Sequence, residues 1–257
     1  MFESHYVCYF FMQWGYMEGL RRVPLEHALL GNMQNDFDAK FGDVCGEAGA
    51  RFFIIEFKSD RKLFRTEVGT SGKLHRSRLY QHLRHDGRCR DLANLGHFGC
   101  YPVEGQSLAF EPYAHCPAPQ LSRAELLEAG LATSADSPWN QLDYQDWVID
   151  FQTFYQKIVL SGDEMSAYHT DSFKTGLGLS RPQLEEYVRC MYEHLSYFED
   201  EQGQAVLGAL CPASGKVFMF KDSLENLLER LHRCLAEFRA TLHHDHEAPR
   251  GTRGPSR

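Results

Sequence analysis

The stretch Arg51-Phe-Phe-Ile-Ile-Glu-Phe-Lys58 constrains the fold more than any other. Aromatic and β-branched residues dominate it, so it reads as a buried strand. A strand alternates its side chains, which puts Glu56 and Lys58 on one face, roughly 6–7 Å apart along the chain. A carboxylate and an ammonium at the end of an apolar strand need a reason to be there.

The surroundings supply candidates. Pro24 suits a first helical turn, and Leu25, Ala28 and Leu29 share a face, so a short helix is expected from Pro24 onward. Asp36 to Val44 alternates enough for a strand, Cys45-Gly-Glu-Ala-Gly-Ala50 offers turn residues, and the 51–58 strand completes a hairpin. Folding that hairpin about Glu47 brings Asp38 opposite Glu56, with Asp36 close enough to compete as a ligand. Two carboxylates that close call for a cation between them, and an oxygen-only set with open positions suits Mg2+ (or Mn2+). Lys58 then stands where it can orient water or meet charge developing on a phosphate.

These residues resemble the PD-(D/E)XK nuclease superfamily, whose core runs helix, three strands, helix, strand. Asp38 matches its first motif, Glu56-Phe-Lys58 its (D/E)-x-K motif, and Glu26 the acid that many members carry on the preceding helix. The resemblance covers residues 20 to 115. It implies a mixed α/β fold with a restriction-endonuclease-like core: a central mixed sheet flanked by helices. It also implies metal-dependent hydrolysis of nucleic acid, DNA before RNA, with catalytic residues Asp38, Glu56, Lys58 and Glu26 and metal ligands Asp38 and Glu56. An acid-x-Lys tripeptide occurs three times here, at Asp38-Ala-Lys40, Glu56-Phe-Lys58 and Asp60-Arg-Lys62, so the order of the surrounding elements carries the match.

Charge adds to it. The chain has a formal net charge of -8, yet Lys58 to Arg90 holds ten Lys or Arg against three acids, a balance of +7. Such a segment is the footprint of a phosphate-binding surface, or else one solvated helix face. Residues 73–86 read as a helix with Leu79 and Leu83 one turn apart. Lys73, Arg76, Arg78 and Arg84 on it are the expected nucleic-acid contacts. Leu95 to Val103 and Ser107 to Tyr113 are further strand candidates.

Beyond the Pro-containing tract at residues 115–140, the chain reads as mainly helical. Trp147, Phe151, Phe154, Tyr155 and Ile158 form one apolar stripe, as do Leu184, Tyr187, Val188, Met191 and Leu195; Ala205 to Phe220 resembles a hairpin, and a helix follows Ser223. The expected division is an α/β core over 1–120, a mainly helical region over 121–242, and a disordered tail over 243–257. The competing function class is a non-catalytic protein-interaction module, a degenerate nuclease fold or an unrelated α/β protein, binding through the aromatic-rich helices. Eight scattered cysteines without a Cys-x-x-Cys signal neither a disulfide framework nor a zinc site, and most are expected as reduced core thiols. His97, Cys100, His115 and Cys116 fit no standard metal spacing, and His169 with Asp171 reads as a polar loop. The first twenty residues carry Gln13 and Glu18 and lack a basic start, so no membrane span and a cytoplasmic location are expected.

Overall fold

The computed structural model describes residues 3–21, 28–34, 42–49, 51–65, 79–80, 82–83, 86–104, 108–117, 147–160, 176–194, 205–211 and 216–222. They form a mixed α/β architecture around one eight-stranded sheet. The strands are β1 (Ala28–Gln34), β2 (Val44–Ala48), β3 (Arg51–Phe57), β4 (His97–Tyr101), β5 (Ala109–Pro112), β6 (Ile149–Asp150), β7 (Ala205–Cys211) and β8 (Lys216–Asp222). Their order is β6-β5-β4-β3-β2-β1-β7-β8. Among these strands only the β3/β4 pair is parallel. The crossover it requires contains a 3-10 turn (Arg61–Arg65) and helix α2 (Gly87–Gly96).

Two apolar layers sandwich the sheet. On one face lie α1 (Glu3–Leu20) and α3 (Phe151–Leu160), over Phe53, Ile55, Phe57, Phe98, Cys100 and Phe110. Val7, Phe10 and Trp14 follow the spacing of one helix face and are the buried residues of α1. Phe10 meets Phe57, Phe110, Phe151 and Phe154 at ring distances of 5.7 to 6.4 Å. Truncating such a hub to Ala costs about 3–5 kcal/mol. On the other face α2 and α4 (Arg181–His194) cover Cys45, Ile54, Tyr101 and Ala109. Leu79, Tyr80 and Leu83, helical as expected, are buried in that layer.

Three expectations are corrected. Ala28–Gln34 is a strand, and the helix that precedes the sheet is α1. Flanking strands on both sides pull this segment into the ladder, overriding its local helical spacing. Cys45 to Ala48 is strand as well, and the chain turns at Gly49, at φ 58°. Gly46 is a packing hole: a Cβ there would lie 2.3 Å from the ring of Phe53, its cross-strand partner. Finally, Cys89 of α2 and Cys190 of α4 form a disulfide across 101 residues. Only tertiary packing of the two helices brings them together. Cys8, Cys45, Cys100 and Cys116 are free thiols.

The stripes on α3 and α4 point inward, with Phe151, Phe154, Tyr155, Ile158, Leu184, Tyr187 and Met191 all buried. They are core, so these helices do not offer them as an aromatic binding surface. The Ala205 to Phe220 hairpin is formed by β7 and β8 and continues the central sheet through β1. Residues 118–140 of the Pro-containing tract, the helix after Ser223 and the 243–257 tail lie outside the described residues. Among the described residues no helix is long and apolar enough to cross a membrane.

Candidate active site

The hairpin end gathers charge. Alternation sends Phe53, Ile55 and Phe57 toward α1 and α3, which leaves Ile54 and Glu56 on the α2 and α4 side. Glu56 is 2% exposed. Lys58 follows the strand, and its backbone N–H donates to the Cys100 carbonyl at 2.9 Å, which extends the β3/β4 ladder by one step. Its Nζ donates to Glu56 Oε1 at 2.6 Å and lies 3.7 Å from Glu3 Oε1 on α1. Glu56 and Lys58 are therefore an ion pair of a buried carboxylate and a partly buried ammonium; burial of the carboxylate requires the cation.

Asp43 completes the group. The β2/β3 register pairs Val44 with Ile55, which puts Asp43 at the level of Glu56. Its N–H donates to the Ile55 carbonyl at 2.9 Å, and its Oδ2 accepts from the Phe57 amide at 2.6 Å. The carboxylate thus lies against the Glu56–Phe57 peptide. Its charge, after burial, helps to push the Cys100 thiol well above the ordinary thiol range.

A second buried acid lies in the same row. Glu56 pairs with Gly99, and Gly99 with Glu111, so the two carboxylates share a face on strands either side of β4. A Cβ on Gly99 would meet Cys116 Sγ at 2.2 Å and the Phe64 ring at 2.7 Å; those two side chains occupy the gap. Glu111, with 0% exposure, receives a two-point grip from Arg61: Nε to Oε1 at 2.8 Å and Nη2 to Oε2 at 3.0 Å. That grip holds the guanidinium charged even more firmly than usual. Burial first, then the Glu111 charge, pushes up both the Cys116 thiol and the Tyr101 phenol.

Of the residues singled out from sequence, the structure brings Glu56 and Lys58 together. Asp38, Glu26, Asp36, Lys73, Arg76, Arg78, Arg84, His169 and Asp171 lie outside the described residues. The hairpin turns at Gly49 rather than at Glu47, so the β2/β3 register puts Asp43 at the level of Glu56. His97 and Cys100 point to opposite layers; His97 Nδ1 lies 2.7 Å from the Tyr187 hydroxyl, and its ring stacks on Tyr113. His115 packs beside Trp147. Sequence reasoning missed Asp43, Glu3, Arg61 and Glu111. The available signals were Gly49 as the turn residue, and an acid within the apolar run Leu108-Ala-Phe-Glu111.

No family model, curated protein or solved structure matches the chain.

Proposed function

We propose that this chain is a metal-dependent nuclease that hydrolyses phosphodiester bonds in nucleic acid, DNA before RNA, with Mg2+ or Mn2+. The observation that carries this reading is the Glu56–Lys58 pair at the end of β3, with Asp43 bonded to the Phe57 amide between those two residues and Glu3 reaching the same lysine from the helix that precedes the sheet. The order α1, β1 to β3, α2, β4 supports the PD-(D/E)XK resemblance, with Asp43 in the first-motif role and Glu3 as the helix acid.

The donor set fits a hard cation: carboxylate oxygens, a buried setting that demands positive charge, and a lysine already answering that demand. Asp43 and Glu56 would hold Mg2+. When bound, the ion supplies Lewis-acid stabilisation of phosphate charge and a more acidic water. Lys58 would present its ammonium to the phosphate charge and the attacking water, with Glu3 holding that side chain in place. The basic 58–90 segment, +7 in balance, would supply the positive charge that attracts a nucleic-acid backbone.

The test is cleavage of duplex DNA, single-stranded DNA and RNA with Mg2+, Mn2+ or a chelator, using wild type, Asp38→Asn, Asp43→Asn and Glu56→Gln. Metal-dependent cutting that falls at least about 100-fold in D43N and E56Q, and is retained in D38N, is the expected result. An E56Q protein that cuts at the wild-type rate, or a wild type that cuts nothing, overturns the reading. A non-catalytic interaction module is the second reading, favoured by one observation: Met12, Tyr16 and Leu20 on α1 are 71%, 67% and 61% exposed.

A further inference from the structure

We propose that Cys89, Cys190 and His82 form a thiol-switched zinc site, whose oxidised, metal-free state is the disulfide seen between α2 and α4. One ligand atom from each of the three residues lies within 4.8 Å of the others. A disulfide needs only its two sulfurs; the imidazole beside them is what a thiophilic cation requires. Two thiolates and one imidazole make a soft, tetrahedral-leaning set, with the fourth position left to water.

The surroundings are built for it. Asp86 caps α2, its Oδ1 accepting from the Cys89 amide at 3.0 Å, while its Oδ2 lies 3.7 Å from His82 Nε2. One carboxylate therefore fixes the backbone of a sulfur ligand and lies within ion-pair distance of the imidazole ligand, where a small shift would make it that ring's hydrogen-bond partner. The helices also have ties that do not depend on the S–S bond. Arg88 grips Glu186 at 2.9 and 2.6 Å, and Leu92, Ala93, Leu184, Tyr187 and Met191 share one buried core. Reduction therefore leaves the two sulfurs facing each other. A Cα–Cα separation of 6.1 Å suits both states, since two thiolates on zinc at about 2.3 Å each stand about 3.8 Å apart.

The switching chemistry balances with a small-molecule disulfide as oxidant. The two zinc-bound thiolates give up two electrons and form the Cys89–Cys190 bond; the oxidant's S–S bond breaks to two thiolates, and Zn2+ leaves.

The test uses the full chain, reduced and stripped of metal, titrated with Co2+ as a spectroscopic probe and then with Zn2+. A thiolate-to-cobalt charge-transfer band saturating near about one equivalent is expected, abolished in Cys190→Ser and weakened at least about tenfold in His82→Ala. Oxidised glutathione should release the metal while the Cys89–Cys190 peptide pair appears by mass spectrometry. His82→Ala leaves the oxidised protein's disulfide intact, so its melting temperature in that state separates ligand loss from misfolding. A cobalt band of unchanged intensity in C190S, or no band in the reduced wild type, overturns the proposal.

Discussion

Asp43 accepts a hydrogen bond at 2.6 Å from the amide of Phe57, the residue between Glu56 and Lys58. A side chain at the start of one strand thereby stands in for a backbone carbonyl at the end of the next. This places an anion at the one point of the hairpin where the acid-x-Lys motif turns out of the sheet. Asp43→Asn keeps an acceptor for that amide, so its fold should survive with a melting temperature close to wild type. Asp43→Ala should lose about 1–3 kcal/mol, read as a lower urea midpoint.

Glu56 and Lys58 should behave as a coupled pair. Lys58→Met leaves a carboxylate at 2% exposure without the ammonium bonded to it, and should cost about 3–5 kcal/mol. Glu56→Gln removes the charge that needed compensating, and the double variant should regain most of the loss. The measurement is a double-mutant cycle in urea without metal. Additive losses would show that the two groups do not depend on each other. Millimolar Mg2+ should raise the melting temperature of Lys58→Met more than that of wild type, because the cation substitutes for the missing ammonium.

Gly99 should tolerate no side chain. Its Cβ would fall 2.2 Å from Cys116 Sγ, so Gly99→Ala should destabilise by about 1–3 kcal/mol. Adding Cys116→Gly should return part of that. Phe64, at 2.7 Å from the same Cβ, sets the remainder.

Alkaline stability should depend on Cys45. Burial, then the charge of Glu47, raises this thiol from 9.0 to about 12. The group is an acid whose folded pKa lies above its unfolded one, so the unfolded chain gives up the proton first. Its contribution is complete below about pH 9 and is lost as pH climbs toward 12. Urea midpoints measured from about pH 7.5 to about pH 10.5 should fall less steeply in Cys45→Ala than in wild type.

The basic segment should govern nucleic-acid binding through salt. Replacing Arg76 and Arg84 by Ala should flatten the plot of log K against log salt by about 0.9 for each duplex-DNA phosphate that the variant no longer neutralises. An unchanged slope, measured by fluorescence anisotropy across salt concentrations, would assign these arginines to an ordinary solvated face.

What the sequence disclosed follows the range of the interactions involved. Strand β3, with its unbroken aromatic and β-branched run, is legible because adjacent residues define it, and so are the inward stripes of α3 and α4. The placement of Glu56 and Lys58 on one side follows from alternation alone. Gly46 misled because it resembles a turn residue, whereas its missing side chain makes room for the Phe53 ring across the strand pair. A turn displaced from Glu47 to Gly49 puts Asp43 at the level of Glu56. Ala28–Gln34 reads as helix locally and becomes strand because β2 and β7 flank it, a long-range cause invisible in a window. Glu111 and Cys190 are hidden for the same reason: their partners, Arg61 and Cys89, are 50 and 101 residues away.

The hairpin of β7 and β8 has a bearing on how the chain can be shortened. Residues Val206 to Leu210 complete the outer row of amides and carbonyls of β1. Any fragment ending before residue 205 uncovers that row as an open template, ready to recruit the same strand from a second copy and to grow by repetition. The hairpin thus moves the sheet edge outward from β1 to β8, and a fragment that keeps β1 paired on both sides as it is here must run at least through Asp222.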